Sequence, residues 1–101
     1  MELTDKCKVD FEKWYNKTYS RELVYSTMNE TLIMTLPIPF VYGVYVDFFD
    51  SVNLPININS YGNGESWQYD ITTMPIIYDA LTRQEARTEA IKKANEIYNK
   101  N

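Results

Sequence analysis

The sequence predicts a small α+β domain in which a C-terminal helix packs on an antiparallel sheet. Three observations lead to this prediction: a helical apolar stripe near the C-terminus, two alternating segments joined by a glycine-rich turn, and a helical stripe near the N-terminus. The expected order is N-terminal helices, a hairpin over about 55–72, a third strand near 76–80 and a C-terminal helix over about 83–99. A chain of 101 residues suffices for one domain and is too short for two, so we assign residues 1–101 to a single domain.

The C-terminal helix has both a start signal and a buried face. Thr82 and Glu85 form the capping-box pattern that marks a helix N-terminus. Arg83 and Arg87 project within the arc of the apolar stripe, so either their stems cover apolar atoms past the sheet edge, or Arg87 pairs with a carboxylate such as Asp70 or reaches a bound partner. Alanines recur in the apolar stripe, which predicts close packing on the sheet. The residues of the stripe are Ala86, Ala90, Ile91, Ala94, Ile97 and Tyr98.

The hairpin prediction comes from alternation on both sides of a turn. Residues 56–59 alternate between isoleucine and asparagine, and residues 67–71 alternate again, with Trp67, Tyr69 and Ile71 on one face. We interpret the Gly62-Asn63-Gly64 segment between them as a turn rather than a phosphate cradle. Residues 76–78 form a short candidate third strand.

The first half of the chain gives one clear helix and two ambiguous segments. Thr4 can cap a helix whose apolar stripe includes Cys7, and a buried small hydrophobe is the expected role of that cysteine. Residues 20–36 fit a helix by spacing, but several β-branched residues oppose it. Residues 40–52 fit either a strand or a helix, and we favour the helix because Asn53 can then take the left-handed position after its end.

Charge is distributed unevenly along the chain. The formal net charge is −4, yet residues 31–80 contain five acidic residues and no Lys or Arg. The same stretch is rich in aromatic residues. It is either a core-forming region with a few solvated acids, or a surface that attracts a basic partner, since summed charge steers association.

The residue types that most often carry catalysis are scarce. The chain has no histidine and a single cysteine, so no Ser-His or Cys-His arrangement is available. Asp47 and Asp50 are three residues apart and on a helix could hold a hard cation or act as acid and base, but a solvated helix edge is the default. The sequence therefore predicts a protein that binds without catalysis, with no cofactor and no metal.

Direct binding to nucleic acid or membrane is not expected. Trp67, Tyr69 and Tyr61 could form a stacking platform, but the middle segment has no positive charge to meet phosphates. The N-terminus lacks a basic and apolar leader, and no apolar run approaches the roughly 20 residues that span a bilayer. One cysteine allows no internal disulfide, which fits a reducing compartment. We expect a cytoplasmic protein.

Residues 42–52 and 82–99 resemble small uncharacterised accessory proteins of bacteriophages and mobile elements in gut-type bacteria. Where glycine is expected after the Asp-Ser-Val run, this chain has Asn53, which also tolerates the left-handed conformation. The resemblance brings no catalytic residues. It implies an inhibitor of host defence, of the anti-CRISPR kind, acting in the bacterial host cytoplasm on a basic nucleic-acid-processing enzyme.

The expected contact residues follow from their expected exposure at the surface and from the resemblance. Binding residues concentrate at loop tips, and tyrosine and tryptophan are favoured at protein interfaces. An alternative is a structural phage protein that forms homo-oligomers, and a homodimer fits either function. The predicted partner-binding residues are Asp47, Asp50, Tyr61, Asn63, Glu65, Trp67 and Arg87.

Overall fold

A computed structural model of the chain describes residues 2–19, 37–62, 66–72 and 76–100. The segment 20–36, for which the sequence left helix and strand open, lies outside the described residues, as do Asn63 and Glu65. The predicted α+β class, hairpin, third strand and C-terminal helix are confirmed. The described elements are α1 (Asp5–Tyr19), α2 (Ile38–Ser51), β1 (Ile56–Tyr61), β2 (Ser66–Ile71), β3 (Ile77–Ala80) and α3 (Arg83–Lys100).

The three strands form an antiparallel sheet in the order β1-β2-β3. Ile58 pairs with Tyr69, which in turn pairs with Tyr78, so these three side chains lie on one face of the sheet. Since successive residues of a strand alternate between faces, Trp67 and Ile71 share that face with Tyr69, as predicted. Tyr61 pairs with Ser66 and therefore lies on the opposite face.

The three described helices contribute to a core on the face of the sheet that carries Ile71. Ile71 and Ile91 are fully buried in one apolar cluster with residues of α1 and α2. The alanines of α3 are fully buried as the sequence predicted, which brings the helix backbone close to the strands. The described residues thus form two layers, with their helices on one side of the sheet. Buried alanines of α3 are Ala86, Ala90 and Ala94.

Aromatic rings fill the space between α1 and α2. Phe11 is fully buried and meets Tyr45 and Phe48 edge to face, at centroid distances of 5.0 Å and 5.4 Å. Such pairs contribute about 0.5–1.5 kcal/mol beyond the area they bury. Cys7 lies one turn before Phe11 and is fully buried, in the hydrophobic role that its place in the stripe predicted.

The segment 40–52 is helical, as favoured from the sequence, and α2 ends in a Schellman motif. Asn53 has φ of 65°, the left-handed conformation expected for it. Its N–H donates to the Asp50 carbonyl over 3.2 Å, and the Leu54 N–H donates to the Phe49 carbonyl over 2.8 Å. Leu54 and Phe49 are both buried, which supplies the apolar contact that accompanies this motif.

The start of α3 uses the predicted capping pair with a shift of one residue. The Glu85 N–H donates to the Thr82 hydroxyl over 3.0 Å, as a capping box requires. The Glu85 carboxylate, however, accepts from the Leu81 N–H over 3.1 Å rather than from the Thr82 N–H. Two backbone donors near the helix start are still satisfied.

The N-terminus of α1 is held by asparagines of α3. The side-chain oxygen of Asn95 accepts from the Thr4 N–H over 2.9 Å, and its amide nitrogen donates to the Thr4 hydroxyl over 3.0 Å. Asn99 accepts from the Cys7 N–H over 2.8 Å. Thr4 precedes the helix as predicted, but its hydroxyl accepts from both asparagines. Asn95 is 7% exposed, so α3 fixes α1 through a buried polar contact.

Candidate protein-binding surface

One face of the sheet is polar and turned away from the described helices. The strand register defines this face. Tyr61, Gln68 and Asp79 lie on it together with their cross-strand partners, on the side opposite Trp67 and Ile71. We call it the open face. No position of the strands on this face is Lys or Arg, and two are aspartates. Its residues are Asn57, Asn59, Tyr61, Ser66, Gln68, Asp70, Ile77 and Asp79.

Asp79 is oriented by two neutral donors. The Tyr61 hydroxyl donates to its Oδ1 over 3.2 Å, and the Gln68 amide donates to the same oxygen over 3.4 Å. Among the described residues no donor meets Oδ2 of Asp79, and the residue is exposed. The carboxylate is therefore held in place while one oxygen stays open to an incoming donor.

Asp70 has a similar arrangement on the neighbouring strand. The Asn57 amide donates to its Oδ2 over 3.3 Å and to the Thr72 hydroxyl over 2.9 Å. Asn57 and Asp70 are direct cross-strand partners, as are Gln68 and Asp79. Neutral amides orient both carboxylates without neutralising them, so the open face keeps its negative charge.

Exposed apolar side chains lie beside these carboxylates, along β3. Ile77 on the open face is 64% exposed, and Leu81, directly after the strand, is 80% exposed. Ile76, directly before the strand, is 47% exposed, and Tyr61 at the end of β1 is 45% exposed. Single exposed apolar residues are ordinary, but a group next to oriented charges has the composition of a protein contact surface.

Two of the predicted contact residues, Trp67 and Arg87, belong to the helix side of the sheet instead. The guanidinium of Arg83 lies 4.5 Å from the centre of the Trp67 ring. Trp67 and Tyr61 are on opposite faces, so the stacking platform of Trp67, Tyr69 and Tyr61 does not form. Tyr69 is buried and stacks on its cross-strand neighbour Tyr78 at 5.0 Å.

Arg87 packs on a ring of α2. Its guanidinium lies 5.2 Å from the centre of the Tyr42 ring, and the residue is half-buried. No ion pair joins it to Asp70, which lies on the open face. Burial raises the pKa of the Tyr42 phenol above its usual value, with Arg87 opposing the rise and Asp50 adding to it. The arginine therefore stabilises the α2–α3 contact.

Asp47 and Asp50 lie together on the outer side of α2. Both are exposed, as is Ser51, which agrees with the shared surface expected for a helix. In the described ranges, no group of three or more Asp, Glu, Cys or His side chains is placed to hold a metal ion. These two aspartates are in the helical layer, whereas Tyr61 is on the open face. Predicted contact residues thus divide among separate surfaces.

A cavity of about 420 Å³ lies between the N-terminal segment and α3. Its wall includes Thr4 and Asn95, whose side chains are bonded to each other. Lys92 and Glu96 bring opposite charges to the same wall. The cavity follows from how α1 is anchored, and two of its polar residues, Thr4 and Asn95, already serve that contact.

The strongest surface feature that sequence reasoning missed is the pairing of Asp79 with Gln68. A signal for it existed, since residues 67–71 alternate and place Gln68 and Asp70 opposite Trp67 and Tyr69. The partner strand was too short to fix its register from sequence alone. The open face therefore emerges only once β3 is aligned with β2.

Comparison of the chain with protein-family models, with curated proteins and with solved structures finds no match. Among the helices that the structure describes, none combines the length and apolar character needed to cross a bilayer. The candidate surface therefore has to be interpreted from its own chemistry.

Proposed function

We propose that this protein is a non-enzymatic inhibitor that binds a basic, nucleic-acid-processing protein of a bacterial host. The observation that supports this best is the open face, where Asp70 and Asp79 are oriented and no strand residue is Lys or Arg. The resemblance of residues 42–52 and 82–99 to phage accessory proteins supplies the setting, the host cytoplasm. Enzymes of host defence, such as CRISPR nucleases, belong to this partner class.

Charge gives such an inhibitor a physical route to its target. Grooves that bind nucleic acid are lined with Lys and Arg, because phosphate contacts dominate their affinity. An acidic surface is drawn to such a groove, and complementary charge raises association rates by about 10–1,000-fold at low salt. A net charge of −4 is small for imitating a nucleic acid along its length, so the contact is local.

The test is capture from lysate of the native bacterial host by the immobilised full-length protein. The informative variant is Asp70→Asn with Asp79→Asn, because asparagine keeps an acceptor for Asn57 and Gln68 while removing the charge. Its matched control is Asp47→Asn with Asp50→Asn, which makes the same change in net charge on the outer side of α2.

We expect the unaltered protein and the α2 control to recover the same basic partner, and the open-face variant to lose it. Higher salt should weaken the interaction, since exposed charges are screened. The purified partner should then bind or cleave nucleic acid less well as the inhibitor is added. Recovery of no specific basic protein, or equal recovery by both double variants, contradicts the proposal.

A second candidate function is a structural phage protein that assembles with itself. Two exposed apolar residues favour it, Ile77 in the edge strand β3 and Leu81 directly after it, because such surfaces also join identical subunits. Mass measurement in solution separates the two. A stable large assembly that recovers no host protein supports the structural function and contradicts the inhibitor.

A further inference from the structure

The outer edge of β3 is unpaired in the part of the chain that the structure describes. The sheet order is β1-β2-β3, so β3 (Ile77–Ala80) is bonded to β2 on one side only. In an antiparallel strand about half of the backbone N–H and C=O groups point to each side. Those on the outer side of β3 can pair with another extended chain.

β3 is short and carries one charged residue, Asp79, but it lacks two other features that usually protect an edge strand. Lysine, proline and inward-pointing charge discourage pairing at an edge, and residues 76–81 contain no lysine and no proline. Instead, three exposed apolar residues accompany the strand: Ile76, Ile77 and Leu81. The opposite edge strand is different, since asparagines alternate with the isoleucines of β1, and Ile56 and Ile58 are half-buried.

We infer that an extended segment of the partner protein pairs with the outer edge of β3 as a fourth strand, with arginine or lysine side chains beside Asp79. This rests on the proposed function in taking a basic protein as the partner. Adding a strand to a sheet edge is a common way of binding a peptide, in which backbone bonds give affinity and alternate side chains give specificity.

Charge decides between a foreign segment and a second copy of this chain. A second copy would bring its own β3, and residues 76–81 contain Asp79 and no cation to meet the first copy's Asp79. A basic segment has the complementary charge. Side chains of adjacent strands lie roughly 5 Å apart, which places a guanidinium within reach of the open Oδ2 of Asp79.

The two faces of the sheet set the order of side chains in that segment. On the open face, a neighbour of β3 lies beside Ile77 and Asp79. On the helix side it lies beside Tyr78 and Ala80, where the ammonium of Lys93 is already 5.3 Å from the centre of the Tyr78 ring. A second cation is unfavourable there. The segment should therefore alternate basic side chains on the open face with apolar side chains on the helix side.

The probe is a heptapeptide of alternating arginine and isoleucine, added to the isotope-labelled full-length protein and followed by amide NMR and fluorescence anisotropy. Its control is the same peptide with every backbone nitrogen methylated, which keeps the charges but cannot donate strand hydrogen bonds. Asp79→Asn tests the charge contact. Asp47→Asn, exposed on α2, makes the same change in net charge away from the edge.

We expect the unmethylated peptide to shift the amide signals of Ile77–Ala80, to slow their hydrogen exchange and to bind at least about tenfold more tightly than the methylated peptide. Asp79→Asn should weaken binding about tenfold and Asp47→Asn should change it little. Equal binding of the two peptides, no binding at millimolar peptide, or signals that move on α2 instead each overturn the inference.

The remaining outcomes separate this inference from the proposed function. If the β3 amides are already protected in the protein alone, with protection rising with its concentration, the occupant is a second copy and the inference is overturned. If the host partner is captured through Asp70 and Asp79 but the two peptides bind alike, the inference fails and the proposed function stands. If the peptide pairs with β3 but the lysate gives no basic partner, only the proposed function fails.

Discussion

The side-chain oxygen of Asn99, near the end of the last helix, accepts a hydrogen bond from the backbone N–H of Cys7 over 2.8 Å. Cys7 is in the first turn of α1, where backbone N–H groups have no partner within the helix. A side chain 92 residues away in sequence thus accepts the hydrogen bond that an N-cap residue usually accepts. This bond joins the N-terminus of α1 to the last turn of α3.

Replacing Asn99 by alanine should destabilise the protein by about 1–2 kcal/mol, because the Cys7 N–H loses its acceptor in a partly buried site. Asn95→Ala should cost more, since Asn95 is buried and bonds both the N–H and the hydroxyl of Thr4. Urea unfolding gives the free energies. Lys100→Ala, at an exposed position of the same helix, is the control, and an Asn99→Ala effect no larger than its effect contradicts the capping role.

Asn53→Gly should stabilise the protein by about 0.5 kcal/mol, whereas Asn53→Ala should destabilise it by about 1 kcal/mol. The backbone there is left-handed at φ of 65°, which glycine adopts without strain and alanine does not. Thermal unfolding measures both. Asn59→Gly, in the middle of β1, is the matched control and should be destabilising. Loss of stability in Asn53→Gly comparable to that in Asn59→Gly would show that the conformation at residue 53 is not left-handed.

Local signals account for the parts of the fold that the sequence predicted. The capping pair Thr82 and Glu85 and the alanine stripe define α3 within its own residues, and the turn between two alternating segments defines the hairpin. Asn53 likewise identified the end of α2, because left-handed backbone restricts the residue types that fit. Each of these signals lies within a few residues of the element that it predicts.

The candidate site depended on relationships that no local signal contains. Tyr61 and Trp67 flank the same turn, yet they lie on opposite faces of the sheet because Tyr61 pairs with Ser66. A turn longer or shorter by one residue would change which residues share a face. For Arg87 the sequence left three roles open: a stem that covers apolar atoms, a pair with a carboxylate, or contact with a partner. Its ring partner Tyr42 is on a different helix. Tertiary placement, rather than residue type, determined which side chains share a surface.

Tyr98 should give the stability a dependence on alkaline pH. Burial, with a further contribution from the hydrogen bond of its hydroxyl to Asp10 at 2.6 Å, raises the pKa of Tyr98 to about 12. The unfolded phenol ionises near its ordinary pKa of about 10. Between these values the unfolded chain loses the proton first, so the stabilisation is complete below about pH 10 and is lost as pH rises towards 12.

Urea unfolding across that pH range, together with tyrosinate absorbance, measures the effect. Tyr98→Phe should flatten the fall in stability at alkaline pH, because the ionising group is gone. Asp10→Asn should lower the pKa of Tyr98, since it removes the charge that opposes ionisation. An alkaline fall in stability that is the same in Tyr98→Phe and in the unaltered protein would show that other groups cause it.

Arg87→Met should separate a packing role of this arginine from a role in binding. Methionine keeps an apolar stem against Tyr42 and removes the cation 5.2 Å from its ring, so stability should fall by about 0.5–1 kcal/mol. The pKa of Tyr42 should rise further, because Arg87 lowers it.

Partner affinity of Arg87→Met should stay within about twofold, since Arg87 is on the helix side and the proposed contact is on the open face. Calorimetry with the captured partner makes the comparison, with Asp79→Asn as the variant expected to lose binding. A loss of affinity in Arg87→Met as large as that in Asp79→Asn would move the contact surface to the helical layer.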